Sequence, residues 1–194
     1  MTRIGILLFD RVEELDAVGP WEVFGVWAKL HPDEAEVVAF APEAGAVRAS
    51  KGLTLHADRS AADVGHLDVL LHPGGAGTRP QLKDPDHLAW MRDLRGRVPL
   101  MTSVCTGSLV FAAAGLLAGR PATTHWGALD LLAELDPTID VRREERFVDD
   151  GDIVTSSGVS AGIDMALHLV VRLAGADRAR EVRRHMQYDP EPPV

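Results

Sequence analysis

Strands buried on both faces and amphipathic helices leave different hydrophobic periods in a sequence, and both periods recur along this chain. RIGILLF at 3–9 is continuously apolar and of strand length, the pattern of a strand covered on both sides in a parallel sheet. WEVFGVWAKL at 21–30 then sets Val23, Phe24, Trp27 and Leu30 at helical spacing, so a strand followed by a helix opens a β-α repeat. EVVAFAP at 36–42 predicts the next strand, and VRASKGLTLHAD at 47–58, two short alternating stretches around a glycine, predicts a hairpin. LDVLLHPGGAG at 67–77 predicts a buried strand that runs into a glycine loop.

The alternation continues. DPDHLAWMRDLRGR at 84–97 predicts an amphipathic helix with Asp84 as its N-cap, and PLMTSV at 99–104 another buried strand. TGSLVFAAAGLLAG at 106–119 predicts a helix rich in Ala and Leu that ends at Gly119. A short ATTHW segment follows, then a helix near 127–135, strands near 138–149 and 152–156, a helix from Ser160 to Leu173 and a last helix from Ala176 to Gln187. Strands alternating with helices imply an α/β fold: an open, mostly parallel sheet with helices on both faces. Ligands bind such sheets beyond the carboxyl ends of the strands. The loops at 10–20, 73–79 and 103–107 lie at such ends.

Composition narrows the picture. A chain of 194 residues, 46% hydrophobic and 25% charged, suits one globular domain over 1–194, with DPEPPV at 189–194 as a surface tail. A net charge of -9 argues against a partner held through a basic field, whether nucleic acid or an anionic membrane. Arg178, Arg180, Arg183 and Arg184 are interleaved with Asp177 and Glu181 at helical spacing, which reads as a solvated helix face. The apolar run Ile4 to Phe9 falls far short of the roughly 20 residues a membrane span needs. One cysteine cannot form an internal disulfide, so a reducing, cytoplasmic setting is expected.

That cysteine carries the candidate chemistry. In Ser103-Val104-Cys105-Thr106-Gly107 it ends a strand and opens a helix, where unpaired helix N–H groups stabilise a thiolate. Spacing alone leaves Cys105 open between a small buried residue and a nucleophile. The glycines of His72-Pro73-Gly74-Gly75-Ala76-Gly77 let backbone approach a ligand, so the N–H groups of Gly75 and Thr106 could form an anion site. A plain turn is the other reading. Asp16, in the loop after the first strand, is either a proton-shuttling carboxylate or the N-cap of a helix starting near Gly19 or Pro20. Glu13 and Glu14 read as solvated. His125 reads as structural or pocket-lining, and His56, His66, His72, His87, His168 and His185 show no metal-ligand spacing, so no metal is expected.

Five separated segments, SVCTGSLVFAAAGLLAG, the PGG loop, LFD with ELDAVGPWEVF, ATTHW and TSSGVSAGIDMALHLV, together resemble the DJ-1/PfpI superfamily. Within it they look most like the isonitrile hydratase branch, and the resemblance covers nearly the whole chain in order. It implies a flavodoxin-like three-layer sandwich that forms homodimers, with Cys105 as nucleophile. Asp16 stands where many members carry Glu, as in isonitrile hydratases. Thr106 stands where the protease branch carries His, which argues against a peptidase, and Ser103 where many elbows have Gly. A chain ending at Val194 leaves no room for the helix-turn-helix module of the family's transcription regulators. The implied reaction is hydration of an isonitrile to an N-substituted formamide through a cysteine thioimidate, with Asp16 moving the proton and no cofactor. Gly74, Trp126, Val159 and Ser160 would line the substrate pocket. Glyoxalase or deglycase chemistry, and a redox-sensing or chaperone-like role, are the alternatives.

Overall fold

A computed structural model describes residues 1–190, so positions 191–194 of the expected surface tail lie outside the described residues. The first strand, β1 (Thr2–Leu7), buries Ile4 to Leu7, as a continuously apolar strand must when helices cover both sheet faces. It is followed by α1 (Glu14–Leu30), β2 (Ala35–Ala41), an antiparallel hairpin of β3 (Gly45–Arg48) and β4 (Thr54–Ala57), the short β5 (Arg59–Ser60) and β6 (Val69–His72). Next come α2 (Thr78–Gln81), α3 (Pro85–Arg97), β7 (Leu100–Val104), α4 (Gly107–Ala113), β8 (Pro121–Ala122), α5 (Leu129–Leu135) and β9 (Asp140–Val141). The described chain closes with β10 (Phe147–Asp149), β11 (Ile153–Ser156), α6 (Ala161–Ala174) and α7 (Ala176–His185).

The main sheet runs β10-β11-β7-β6-β1-β2-β5, and every pairing in it is parallel except β10 with β11. Helices α1, α6 and α7 pack together over one face, and α2 to α5 over the other. The result is the mostly parallel sheet with helices on both faces that the pattern predicts, in the flavodoxin-like sandwich that the resemblance implies. Phe24 and Trp27 of α1, Phe40 of β2 and Phe111 of α4 fill the spaces between sheet and helices and are all but inaccessible to water. Among the described residues no helix is long and apolar enough to cross a membrane.

Local structure departs from the sequence pattern in three places. Helix α1 begins at Glu14 rather than near 21, and Pro20 lies inside it. The Gly19-Pro20 pair resembles a helix start, but Gly19 serves the crossing of α1 with α6, where a Cβ would sit 3.0 Å from Ile163 Cγ1. Helix α4 stops at Ala113, six residues before Gly119. Gly115, with φ of 77°, takes the left-handed position: Leu116 N–H reaches Phe111 O at 2.9 Å and Gly115 N–H reaches Ala112 O at 2.8 Å, a Schellman closure. The segment near 138–149 is not one strand, because β9 pairs with β8 in a separate ribbon and β10 with β11. Arg180, Arg183 and Arg184 of α7 are exposed, as a solvated face requires, and Arg178 alone is half-buried, bridging to Glu34 and Glu181.

Candidate active site

Strands β7, β6 and β1 are neighbours with aligned ends, Leu71 lying opposite both Ile6 and Thr102 and His72 opposite Ser103. The segments after them therefore leave the sheet side by side, where the strand order reverses about β1. Cys105 is the first residue after β7 and has φ of 56°, a left-handed conformation that costs on the order of 1 kcal/mol for a residue with a side chain. Tertiary bonds hold it there. Its N–H is shared between Ser156 O at 3.1 Å and Ser157 O at 3.2 Å, and its carbonyl accepts the hydroxyls of Thr124 at 2.8 Å and Ser108 at 3.1 Å. The turn is also tight enough to require glycine after Thr106, since a Cβ on Gly107 would collide with the carbonyl oxygen of His72. His72 itself is buried and neutral, its pKa held near 3 chiefly by burial and then by His87, with Nδ1 against Pro73 O at 2.8 Å.

Asp16 lies in the first turn of α1 rather than in the preceding loop, and it is fully buried. Gly74 N–H donates to its Oδ2 at 2.9 Å, while Oδ1 has no partner at strict hydrogen-bond geometry among the described residues. Burial raises its pKa to about 7 and nearby Glu13 adds to the rise; the Gly74 N–H, the Cys105 thiol and the Val159 N–H oppose it. Cys105 is 7% exposed, and its thiol is pushed up to about 12 by burial first and then by the charge of Asp16, against the N–H and hydroxyl of Thr106. A thiolate beside an ionised Asp16 is thus disfavoured twice over. Near neutral pH the sulfur keeps its proton and the pair titrates as a unit.

The glycine loop supports this pair more than it lines a pocket. A Cβ on Gly74 would sit 2.5 Å from Thr106 N and 2.8 Å from Asp16 Oδ2, so only glycine lets the loop deliver its N–H to the carboxyl. Gly75 has φ of 118°, and its N–H is donated to Thr106 Oγ1 at 3.0 Å. It is therefore engaged by the Thr106 hydroxyl and is not a free donor beside the Thr106 N–H. Val159 has φ of 53°, unusual for a β-branched residue, and turns its N–H toward Asp16.

A cavity of about 350 Å³ opens beside the elbow, lined by Thr124, His125, Trp126, Ser157, Val159 and the 143–146 segment. Trp126 is 80% exposed at its rim, 5.4 Å from the His125 ring. His125 also accepts Gly127 N–H at 3.1 Å and packs on Gly158, so it is at once structural and pocket-lining. Ser160 is exposed, just before α6, and is not part of the lining. The side chains of Glu13 and Glu14 are about 15% exposed and face Lys51 of the hairpin, so they are not the solvated acids the sequence suggests. Thr78, Thr124 and Lys51 complete the surroundings of the pair; threonines in loops and a hairpin lysine carry no local signature that would single them out.

Elbow cysteine, buried acid and glycine loop meet at the switch point of a parallel sheet, which defines an α/β protein with a thiol and a carboxyl paired beyond its strand ends. The chain belongs to the DJ-1/PfpI family, whose profile matches residues 2–172. It is 43% identical to isonitrile hydratase of Pseudomonas putida, over 98% of this chain and 80% of that protein. It is 30% identical to the Parkinson disease protein 7 homolog of Danio rerio, over 93% of this chain and 94% of that protein. The fold superposes with a TM-score of 0.89 on a THiJ/PfpI family protein from Pseudomonas syringae, at 34% identity, covering 100% of this chain and 77% of that one.

Proposed function

We propose that the chain is an isonitrile hydratase, converting an isonitrile and water to an N-substituted formamide. The observation that carries the reading is the buried Asp16 carboxyl, its pKa near 7, beside a protonated Cys105 thiol. The 43% identity to the Pseudomonas putida enzyme supports the choice of substrate.

The isonitrile carbon holds a lone pair and can also accept one, so it needs a nucleophile and a proton at one atom. As Cys105 sulfur bonds to that carbon, its proton passes to the ionised Asp16, which returns it to the same carbon. The product is a thioimidate, R–N=CH–S–Cys105. Asp16 then takes a proton from water while the hydroxide oxygen adds to the thioimidate carbon, and the nitrogen is protonated. Collapse of the R–NH–CH(OH)–S intermediate re-forms C=O, breaks the C–S bond and returns the hydroxyl proton to sulfur. Negative charge that develops on sulfur is met by the N–H and hydroxyl of Thr106, the latter polarised by Gly75 N–H. Gly74 and Val159 orient Asp16, and the substituent R occupies the cavity against Trp126.

No step transfers electrons to an outside acceptor, so the scheme uses no cofactor. On this reading residues 1–194 act as one domain, in a cytoplasmic homodimer. The test is to incubate the purified protein with a panel of alkyl and aryl isocyanides and measure formamide. The parent protein should make it and Cys105→Ala should not. Absence of formamide across the panel sinks the reading, and turnover of glyoxal instead would replace it with glyoxalase-type chemistry.

A further inference from the structure

The N–H that Asp16 accepts belongs to the same planar peptide group as the Pro73 carbonyl, so one orientation of that plane sets both ends. At one end Gly74 N–H meets Asp16 Oδ2 at 2.9 Å. At the other, Pro73 O lies 2.8 Å from His72 Nδ1, and no backbone N–H is bonded to it among the described residues. A carbonyl oxygen only accepts, so Nδ1 carries the proton of the ring and donates it. Nε2 is then a bare acceptor, buried with no partner among the described residues, and Phe9, Phe111 and His87 surround the ring. The peptide needs such a clamp. Gly74 has no Cβ, so the plane ahead of it turns more easily than one ahead of another residue, and turned over it would aim Pro73 O at the Asp16 carboxyl. Pro73 and Gly74 are both buried, so a Pro73 carbonyl deprived of His72 is left inside without a partner.

We propose that His72 is a positioning residue: its Nδ1–H holds the Pro73 carbonyl and thereby aims Gly74 N–H at the Asp16 carboxyl. The two hydrogen bonds run head to tail through one amide, so each also polarises the other. An N–H bond to an ionised carboxylate is stronger than one to the protonated acid, so the clamp favours ionised Asp16. His72 is neutral and contributes no charge of its own. The titratable groups facing Asp16 are Glu13, Cys105 and Lys51, and the one facing His72 is His87 of α3. The role concerns the Gly74–Asp16 bond and is independent of which substrate the site serves.

The test therefore titrates Asp16 directly, without any isonitrile, through the infrared C=O band of its protonated carboxyl, identified by its absence in Asp16→Asn. His72→Leu removes the donor without changing any charge and should raise the Asp16 midpoint by about one unit, the size of a weakened hydrogen bond to a charged group. His72→Asn places an amide N–H where Nδ1 stands and should hold the midpoint near that of the parent. A purely structural role would lower the melting temperature and leave the midpoint in place. In the parent protein, nitrogen NMR should find the His72 proton on Nδ1 from pH 5 to 9, a measurement that needs no variant to fold. A leucine variant whose midpoint stays or falls overturns the proposal, as does an asparagine variant that titrates with leucine, or a proton on Nε2 in the parent.

Discussion

The backbone N–H of Gly74 donates to Asp16 Oδ2 at 2.9 Å, joining the loop after β6 to the first turn of α1 across a site closed to water. The N–H groups of Gly74 and Val159 and the Cys105 thiol together do not offset the loss of hydration that burial imposes on a carboxylate, so the proton is retained to about pH 7. Every expectation about the site's pH behaviour starts from this imbalance.

Stability should fall as pH rises through the range in which the folded chain keeps this proton and the unfolded chain has lost it. The unfolded carboxyl titrates near 3.8 and the folded one near 7, so the native state binds more protons between those values. The loss approaches about 1.4 kcal/mol per pH unit and ends above the folded value. Asp16→Asn mimics the neutral acid and can still accept from Gly74. Its melting temperature relative to the parent should therefore climb from pH 5 to pH 8. A constant difference would mean that Asp16 is ionised throughout.

Hydration should speed up as pH rises through about 7, because the proposed cycle begins with ionised Asp16 and a thiol that keeps its proton until about 12. Glu13 raises the Asp16 pKa, and Lys51 pairs with Glu13 from the hairpin. Glu13→Gln should move the rising limb down and Lys51→Met should move it up, each by about half a unit. Initial rates from pH 5 to 9 read both, and limbs that do not move would detach the hairpin from the chemistry.

How much of this was legible in the sequence varies with the kind of interaction. Strands β1, β6 and β7 are visible because most of their residues are buried on both faces and apolar runs dominate them, which in turn puts Cys105 and the glycine loop at one end of the sheet. Asp16 stands out as a candidate, but its place inside α1 does not: a Gly-Pro pair has the same local signature whether it starts a helix or lets one cross a neighbour. Gly115 and Gly119 both follow the apolar run of α4, and only the Leu116-to-Phe111 bond decides which one closes the helix. The engagement of Gly75 N–H with Thr106 Oγ1, 31 positions apart, has no local trace at all.

Glycine-to-alanine substitutions should separate two physical effects in helices of the same protein. A Cβ on Gly107 would collide with the backbone oxygen of His72, whereas one on Gly96 of α3 meets nothing within 4 Å. Alanine favours either helix by about 1 kcal/mol. At Gly96 that gain is unopposed, so Gly96→Ala should raise the melting temperature. At Gly107 an overpacking cost of roughly 1–3 kcal/mol meets a backbone atom that cannot rotate away. Gly107→Ala should lower the melting temperature and, by displacing the elbow, lower turnover as well.

The rim of the cavity should affect binding and leave chemistry alone. Trp126 is 80% exposed, with its ring 5.4 Å from that of His125, so its removal takes little from the core. Trp126→Ala should keep the parent melting temperature to within a shift worth about 0.5 kcal/mol. If the isonitrile substituent rests on the indole, an aryl substrate loses a stacking contact worth about 0.5–1.5 kcal/mol in both ground and transition states. Uniform binding of that kind appears in KM, so KM for an aryl isocyanide should rise roughly 2- to 12-fold with kcat unchanged, and less for a small alkyl one. Steady-state kinetics on the two substrates decide it. A fall in kcat at constant KM would instead place the indole against the reacting atoms.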